Sequence, residues 1–314
     1  YIGYYKDMFN RRKFLLLSLF AFVNQVFSFS SFASTDSRKK ITKFIPSTAE
    51  AVPAIGMGTW LTFDIGHHSD EVFSRTQILK TFLEAGGSVI DSSPMYGSAE
   101  KIIGLCLQNI QGNPQIFSAS KVWTPLQDHG KQQIENSFRL WGLDQFSLLQ
   151  VHNLVNYKEH LQTLIKLKSE KRIKYIGVTT SHGNKHSLLI DIMNNEPIDF
   201  VQFTYNITHD EAEHILLPLA SRKKIAVIVN RPFDGGNLFR HAKNKTVPDW
   251  AKQENINTWS EFFLKFIISH PAVTCVIPAT SKIKHMQENM QSLYGTLPSQ
   301  SLRIRMKEYF KTLL

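Results

Sequence analysis

The sequence predicts an α/β fold, a single-domain (β/α)8 TIM barrel, from three observations. Short β-rich runs alternate with amphipathic helical runs along most of the chain, the pattern of a parallel sheet with crossover helices. The strand-like runs number eight, which is what closes a barrel. No Pro/Gly/Ser-rich linker and no internal repeat divides the body, so one unit accommodates them all.

The strand-like runs are 54–59, 88–91, 115–120, 147–152, 173–179, 200–205, 226–230 and 273–278. Between them the apolar residues recur at three- and four-residue steps. In 69–85, Val72, Ile78, Leu79, Phe82 and Leu83 share a face, and Gly86-Gly87 ends the helix. Further helices are expected over 98–107, 131–141, 158–168, 186–193, 212–222, 260–268 and 284–293. The stretch 234–257 is long for a strand-to-helix connection and reads as a lid.

The first 33 residues read differently. Met8 is a plausible initiator, and residues 1–7 receive no structural role. A basic cluster, an apolar run from Phe14 to Val23 and the small-residue end Ser31-Phe32-Ala33 make a signal peptide. The apolar run is too short and interrupted for a membrane span, so no stable span is expected in the mature protein. Arg11-Arg12-Lys13-Phe14-Leu15 is similar to the twin-arginine signal that exports folded cargo; an ordinary secretory signal is the alternative. The expected organisation is signal peptide 1–33, polar linker 34–44 and barrel 45–314. The expected location is the periplasm, reached through the twin-arginine export machinery.

Composition excludes some functions. Of the net charge of +10, residues 1–33 carry +3, with Lys6, Arg11, Arg12 and Lys13 against Asp7. The remaining excess is scattered rather than gathered into a stripe, so no nucleic-acid partner is expected. Two cysteines, Cys106 and Cys275, lie far apart in apolar settings and read as buried thiols. A disulfide-stapled fold is excluded by that count.

In a barrel of this type the working residues sit at the carboxyl ends of strands. Those positions hold Asp91, Lys121 and His152, with Tyr96 five residues past Asp91 in the turn Ser92-Ser-Pro-Met-Tyr-Gly97. Each alone has an ordinary structural explanation. Occurring together on successive strands, they would converge on one mouth.

The segments Gly56-Met-Gly-Thr-Trp60, Ile90-Asp-Ser-Ser-Pro-Met-Tyr-Gly97, Ser120-Lys121-Val, Leu149-Gln-Val-His152-Asn, Tyr175-Ile-Gly-Val178, Val201-Gln-Phe-Thr-Tyr-Asn206 and Cys275-Val-Ile-Pro278 resemble the aldo-keto reductase family. The resemblance runs from about Ile45 to the last residues in the family's order. It implies reversible hydride transfer between NADP(H) and a small-molecule carbonyl, with a catalytic tetrad of Asp91, Tyr96, Lys121 and His152. Tyr96 would be the general acid/base. Lys121 would favour phenolate by charge, Asp91 would hold Lys121, and His152 would orient the carbonyl.

The chain has no Gly-x-Gly-x-x-Gly between strand and helix, so a Rossmann domain is not indicated. By resemblance, Thr179, Thr180 and Gln202 would contact the nicotinamide amide. The loop Arg231-Pro-Phe233-Asp-Gly235-Gly-Asn237-Leu238 would wrap the pyrophosphate. Thr280, Ser281, Lys282, His285, Glu288 and Asn289 would form the 2′-phosphate and adenine site, which favours NADP over NAD. Three positions depart from the family's pattern. Asn230 stands where an aromatic residue stacks on the nicotinamide, which would leave Arg231 against the ring. Thr179-Thr180 replaces Ser-Asn, and His285 replaces a phosphate-binding arginine. Trp60 and Trp123, with Phe63 and Phe233, would line an apolar substrate pocket. Two rivals are a barrel that binds NADP(H) as a redox sensor or partner subunit with little turnover, and a metal-dependent hydrolase. No metal site is expected, because the strand ends show neither His-x-His nor clustered carboxylates.

Overall fold

A computed structural model describes residues 39–66 and 68–314. The signal peptide expected at 1–33 and the start of the expected linker lie outside the described residues. The described chain opens with a hairpin in which β1 (Thr42–Phe44) and β2 (Ala51–Pro53) pair antiparallel, Lys43 opposite Val52. The linker expected over 34–44 therefore gives way to a strand at Thr42. Polar composition hid it, because the apolar gain comes from Ile45 and Val52, which are buried under the barrel.

Eight parallel strands follow in sequential order: β3 (Met57–Gly58), β4 (Val89–Asp91), β5 (Phe117–Val122), β6 (Phe146–His152), β7 (Ile173–Thr179), β8 (Phe200–Thr204), β9 (Ala226–Asn230) and β10 (Cys275–Val276). Parallel bridges Ile55–Val276 and Gly58–Ala279 join the first strand to the last and close the barrel. Both seam strands are shorter than the expected 54–59 and 273–278. A Cβ on Gly56 would sit 2.9 Å from the Val89 carbonyl oxygen, and one on Gly58 2.9 Å from that of Ile277. Only glycine permits so close an approach, and Pro278 has no N–H to extend the ladder.

Alternate residues of each strand face the barrel axis. These inward positions run from apolar to polar along the strands. Phe117 and Ala119 lead to Lys121, Leu148 to Gln150 and His152, Tyr175 to Thr179, and Phe200 to Gln202 and Thr204. The apolar layer is a cluster distinct from the larger core between sheet and helices, and Ile45 and Val52 belong to it. The hairpin thus plugs the amino-terminal mouth. The Tyr175 hydroxyl fixes it there, donating to Glu50 at 2.6 Å with Thr48 Oγ1 2.7 Å away.

The helices are α1 (Ser69–Glu84), α2 (Ala99–Gln108), α3 (Gln127–Trp141), α4 (Tyr157–Ser169), α5 (His186–Asn195), α6 (Leu216–Lys223), α7 (Asn237–His241), α8 (Asp249–Lys252), α9 (Trp259–Ile268), α10 (Ile283–Gln291) and α11 (Gln300–Lys311). The helix expected over 212–222 starts at Leu216, because Pro218 is tolerated only in a first turn. A 3-10 turn, Glu211–Glu213, precedes it. The segment read as a lid carries α7 and α8, buries Val247, Ala251 and Ile256, and accepts the Trp259 indole N–H on the Lys245 carbonyl at 2.8 Å. It is folded onto the barrel.

Helix α11 was not expected from the sequence, since its buried residues are only Met306 and Phe310, too narrow a stripe for a periodicity argument. Ser299 caps it, accepting from the Leu302 N–H, and Arg303 anchors it to Glu213 and the Tyr205 hydroxyl. No helix among the described residues is long and apolar enough to cross a membrane.

Candidate active site

The strand ends β4, β5 and β6 bring three of the four expected catalytic side chains to one place. Lys121 is fully buried, and its ammonium donates to Asp91 Oδ2 at 2.5 Å and to the Ser92 carbonyl at 2.7 Å. The other Asp91 oxygen accepts from Gln202 at 3.0 Å and Gln150 at 3.2 Å. A buried carboxylate without such donors would be costly; here each oxygen is served. Tyr96 reaches the same place from the turn after β4. Its backbone N–H donates to Ser93 O at 2.9 Å, and the Lys121 ammonium lies 5.0 Å from its ring centroid.

His152 meets Tyr96 edge-on, ring centroids 5.7 Å apart. Its Nδ1 is 2.9 Å from Ser93 Oγ, and that hydroxyl already accepts the Met95 N–H at 3.2 Å. We assign the Ser93 hydrogen to Nδ1, which leaves the imidazole proton on Nε2.

Electrostatics sorts these groups into roles. Burial pushes the Tyr96 phenol above its usual range, and the charge of Lys121 pulls it back only in part. Burial works to lower Lys121, but Asp91 and then Tyr96 outweigh it, so the ammonium is held charged. Burial, followed by the Lys121 charge, drives His152 down to about 3, a neutral imidazole at physiological pH. The result is a protonated phenol beside a fixed cation and a neutral donor.

These groups open onto a cavity of about 690 Å³. Asp91, Tyr96 and His152 line it together with residues from the ends of β3 and β7 to β9, while Lys121 lies beneath. A family model, the Aldo/keto reductase family, matches residues 54–305. The chain belongs to that family.

Among relatives, the uncharacterized oxidoreductase YqkF of Bacillus subtilis is 23% identical over 291 residues, 77% of this chain and 87% of that protein. The aldo-keto reductase YhdN of the same organism is 25% identical over 200 residues, 59% of this chain and 60% of that protein. Among solved structures, an aldo/keto reductase from Klebsiella pneumoniae in complex with NADP and acetate superposes with a TM-score of 0.72. Its identity is 23%, over 87% of this chain and 95% of that one.

The other expected residues divide. Thr179, Thr180, Gln202, Asn230, Arg231, Phe233, Gly235 and Trp60 line the cavity. Thr180 Oγ1 is buried there without a hydrogen-bond partner among the described residues, whereas Gln202 Oε1 already accepts from Thr179 and Asn230. Asn230 also donates to the Thr180 carbonyl at 2.8 Å and accepts from Thr204 at 2.7 Å. Arg231, in the cavity lining, donates to Asp234 at 2.8 Å, as Asn237 does at 2.7 Å.

Thr280, Ser281 and Lys282 precede α10, starting one residue beyond Ala279 at the cavity edge, and His285 and Glu288 lie within the helix. Four more expected residues lie outside the cavity lining: Phe63, Leu238, Asn289 and Trp123. Phe63 and Leu238 are buried in the core between sheet and helices. Asn289 is buried, its Oδ1 accepting from Ser260 at 2.5 Å. Trp123 lies outside the cavity lining, its backbone held by the Gln133 side chain. Sequence reasoning missed Gln150, Ser93, Leu61, Met95 and His182. Gln150 was accessible, since it precedes His152 by two and so faces the same way; loop residues give no such signal.

Proposed function

We propose that this chain reduces an aldehyde or ketone to an alcohol with NADPH, and that Tyr96 is the proton donor. The observation that carries the reading is the buried Lys121–Asp91 pair against a protonated phenol and a neutral imidazole at one cavity. NADPH, when bound, supplies the hydride to the carbonyl carbon. The chain's part is protonic. His152 Nε2–H would hydrogen-bond the carbonyl oxygen and set its position. As negative charge grows on that oxygen, Tyr96 Oη gives up its proton, and Lys121 stabilises the phenolate left behind. Water then returns the proton to Tyr96, and the reverse sequence serves alcohol oxidation.

The residues fit the cofactor. The unpartnered Thr180 hydroxyl suits a carboxamide, and Gly235 and Gly236, at φ 63° and 93°, leave backbone open toward a pyrophosphate. Lys282, Thr280 and Ser281 at the start of α10 suit the 2′-phosphate, which helix N–H groups also favour. The test is NADPH oxidation by the purified protein with a simple aldehyde. Tyr96→Phe should lower turnover at least about a hundredfold while NADPH titration stays nearly unchanged; retention of most activity refutes the assignment.

Export is a second part of the reading. The basic and apolar pattern of residues 8–33 supports a twin-arginine signal, which would let the barrel fold around NADP(H) before reaching a periplasm that does not supply it. Arg11→Lys with Arg12→Lys should keep the protein in the cytoplasm, folded and able to bind NADPH. Equal periplasmic yield of both forms on fractionation would mark the signal as an ordinary secretory one.

A further inference from the structure

The cavity holds one cation that its surroundings do not neutralise. Among the described residues that line it, the only carboxylate is Asp91, and Lys121 already pairs with that group from beneath. Arg231 is matched by Asp234 at 2.8 Å. Burial, and then the Arg231 charge, hold His182 below its usual range, which leaves it uncharged at neutral pH, and His152 is neutral too. Lys185 remains. It lines the cavity and forms no ion pair among the described residues; its ammonium donates to the Asn153 carbonyl at 2.8 Å. That bond occupies one of three N–H groups.

Lysine is a costly choice at this position. Lys185 directly precedes α5 with φ 58°, a left-handed backbone that Gly or Asn adopts more readily. Its side chain makes no capping bond, where Ser, Thr, Asp or Asn would serve the free helix N–H groups. Its charge also lies at the positive end of the helix dipole. Local rules broken together, with no return in stability, mark a position kept for function. The carbonyl that receives the ammonium has the same character: Asn153 is left-handed at φ 53° and directly follows His152, the last residue of β6. The bridge therefore fixes the charge on the rim beside the imidazole assigned to the substrate carbonyl. The loop between is held as well, the His182 N–H donating to Thr204 Oγ1 at 2.9 Å and the Asn184 N–H to the Ser181 carbonyl at 3.2 Å. Lys185 follows β7, and β8 and β9 separate it in the sheet from β10, beyond which lie the residues suited to the cofactor's 2′-phosphate.

Resting on the reductase reading, we propose that Lys185 is a substrate subsite for an anionic group, and that the carbonyl compound reduced here carries a carboxylate or phosphate a few atoms from its carbonyl carbon. With the carbonyl on Tyr96 and His152, the anion takes the two free ammonium N–H groups and supplies the counter-charge that the cavity lacks.

The test uses the full chain with NADPH and two substrate pairs, succinic semialdehyde against butanal and glyceraldehyde 3-phosphate against glyceraldehyde. An anionic member should exceed its neutral partner in kcat/KM by at least about fivefold, the low end for a charge-assisted contact open to water, and the pair with the larger ratio tells carboxylate from phosphate. Lys185→Gln should remove most of that ratio, mainly through KM, while Lys185→Arg keeps it; the ratio cancels any general loss of activity. Added salt should compress it. Calorimetric titration of succinate and of inorganic phosphate in the presence of NADP reads the same subsite without turnover, and Lys185→Gln should weaken the preferred anion in parallel. If the anionic and neutral aldehydes are reduced alike, or the ratio survives Lys185→Gln, the anion subsite is refuted and the reductase reading stands. If no aldehyde is reduced yet anion binding depends on Lys185, the reductase reading fails and the anion site stands. If neither is seen, both fall.

Discussion

The two halves of the barrel mouth are built from different materials. On the β4 to β6 side, the chemistry rests on strand-borne side chains whose hydrogen-bonding groups are already paired: Lys121 with Asp91 and Ser92, Asp91 with Gln150 and Gln202, His152 with Ser93. On the β7 to β10 side, the groups facing the cavity come largely from loops, several in left-handed conformations, such as His182, Lys185 and Arg231. The first half is also part of the fold's internal packing. The second can be altered with less damage to the core. The difference teaches that catalysis and stability are entangled on one side of this site and separable on the other.

The sharpest way to break that comparison is Lys121→Met. It leaves Asp91 buried with only amide donors, and removal of one partner of a buried pair costs about 3–5 kcal/mol. The urea midpoint should drop by a corresponding amount, and turnover should be lost. An unchanged midpoint would show that the pair contributes nothing net to stability, and the two halves would then not differ.

A second effect is on pH. His152 is driven from its usual 6.5 to about 3, so the unfolded chain binds a proton that the folded chain refuses. By linkage, stability is full above about 6.5 and falls as the pH drops from there toward 3. His270, lowered to about 4 by burial, adds to the same acid-side loss. His152→Gln should flatten the decline between those limits, measured by unfolding at a series of pH values; a parallel slope in both proteins would mean that His152 titrates normally.

Much of the first half was legible in the sequence because strands impose a rule. A residue at a strand end in a closed barrel has its direction set by the pleat, so Asp91, Lys121 and His152 could be placed from spacing alone. Tyr96 was placed beside them by its closeness to Asp91 in the following turn, where no such rule applies, and the family resemblance supplied its role as acid/base. The second half was harder. Asn289 and Leu238 matched motif positions, but which face of a short helix points inward depends on contacts with α9 and the core that spacing does not encode. Trp123 lies one residue past the end of β5, where the backbone turns to meet Gln133. The hairpin at Thr42 and helix α11 escaped for a related reason: each is held by a few long-range contacts rather than by a broad apolar stripe.

The smallest effect is expected at Lys282, and it tests whether the second half is separable. Lys282 is exposed and stands at the N-cap position of α10 without a capping bond from its side chain. Its removal should leave the unfolding midpoint in place. If it meets the 2′-phosphate, Lys282→Ala should weaken NADPH by about 1 kcal/mol, roughly fivefold, since a charge-assisted contact in water lies at the low end of its range. NADH has no such phosphate and should bind the variant and the parent alike. Fluorescence titration of both cofactors separates the outcomes. A loss for NADPH alone places cofactor selectivity at the start of α10, in a part of the mouth that tolerates change. Equal losses for both would mean that Lys282 supports the loop itself, and the cofactor side would then be as entangled with the fold as the side that carries Tyr96.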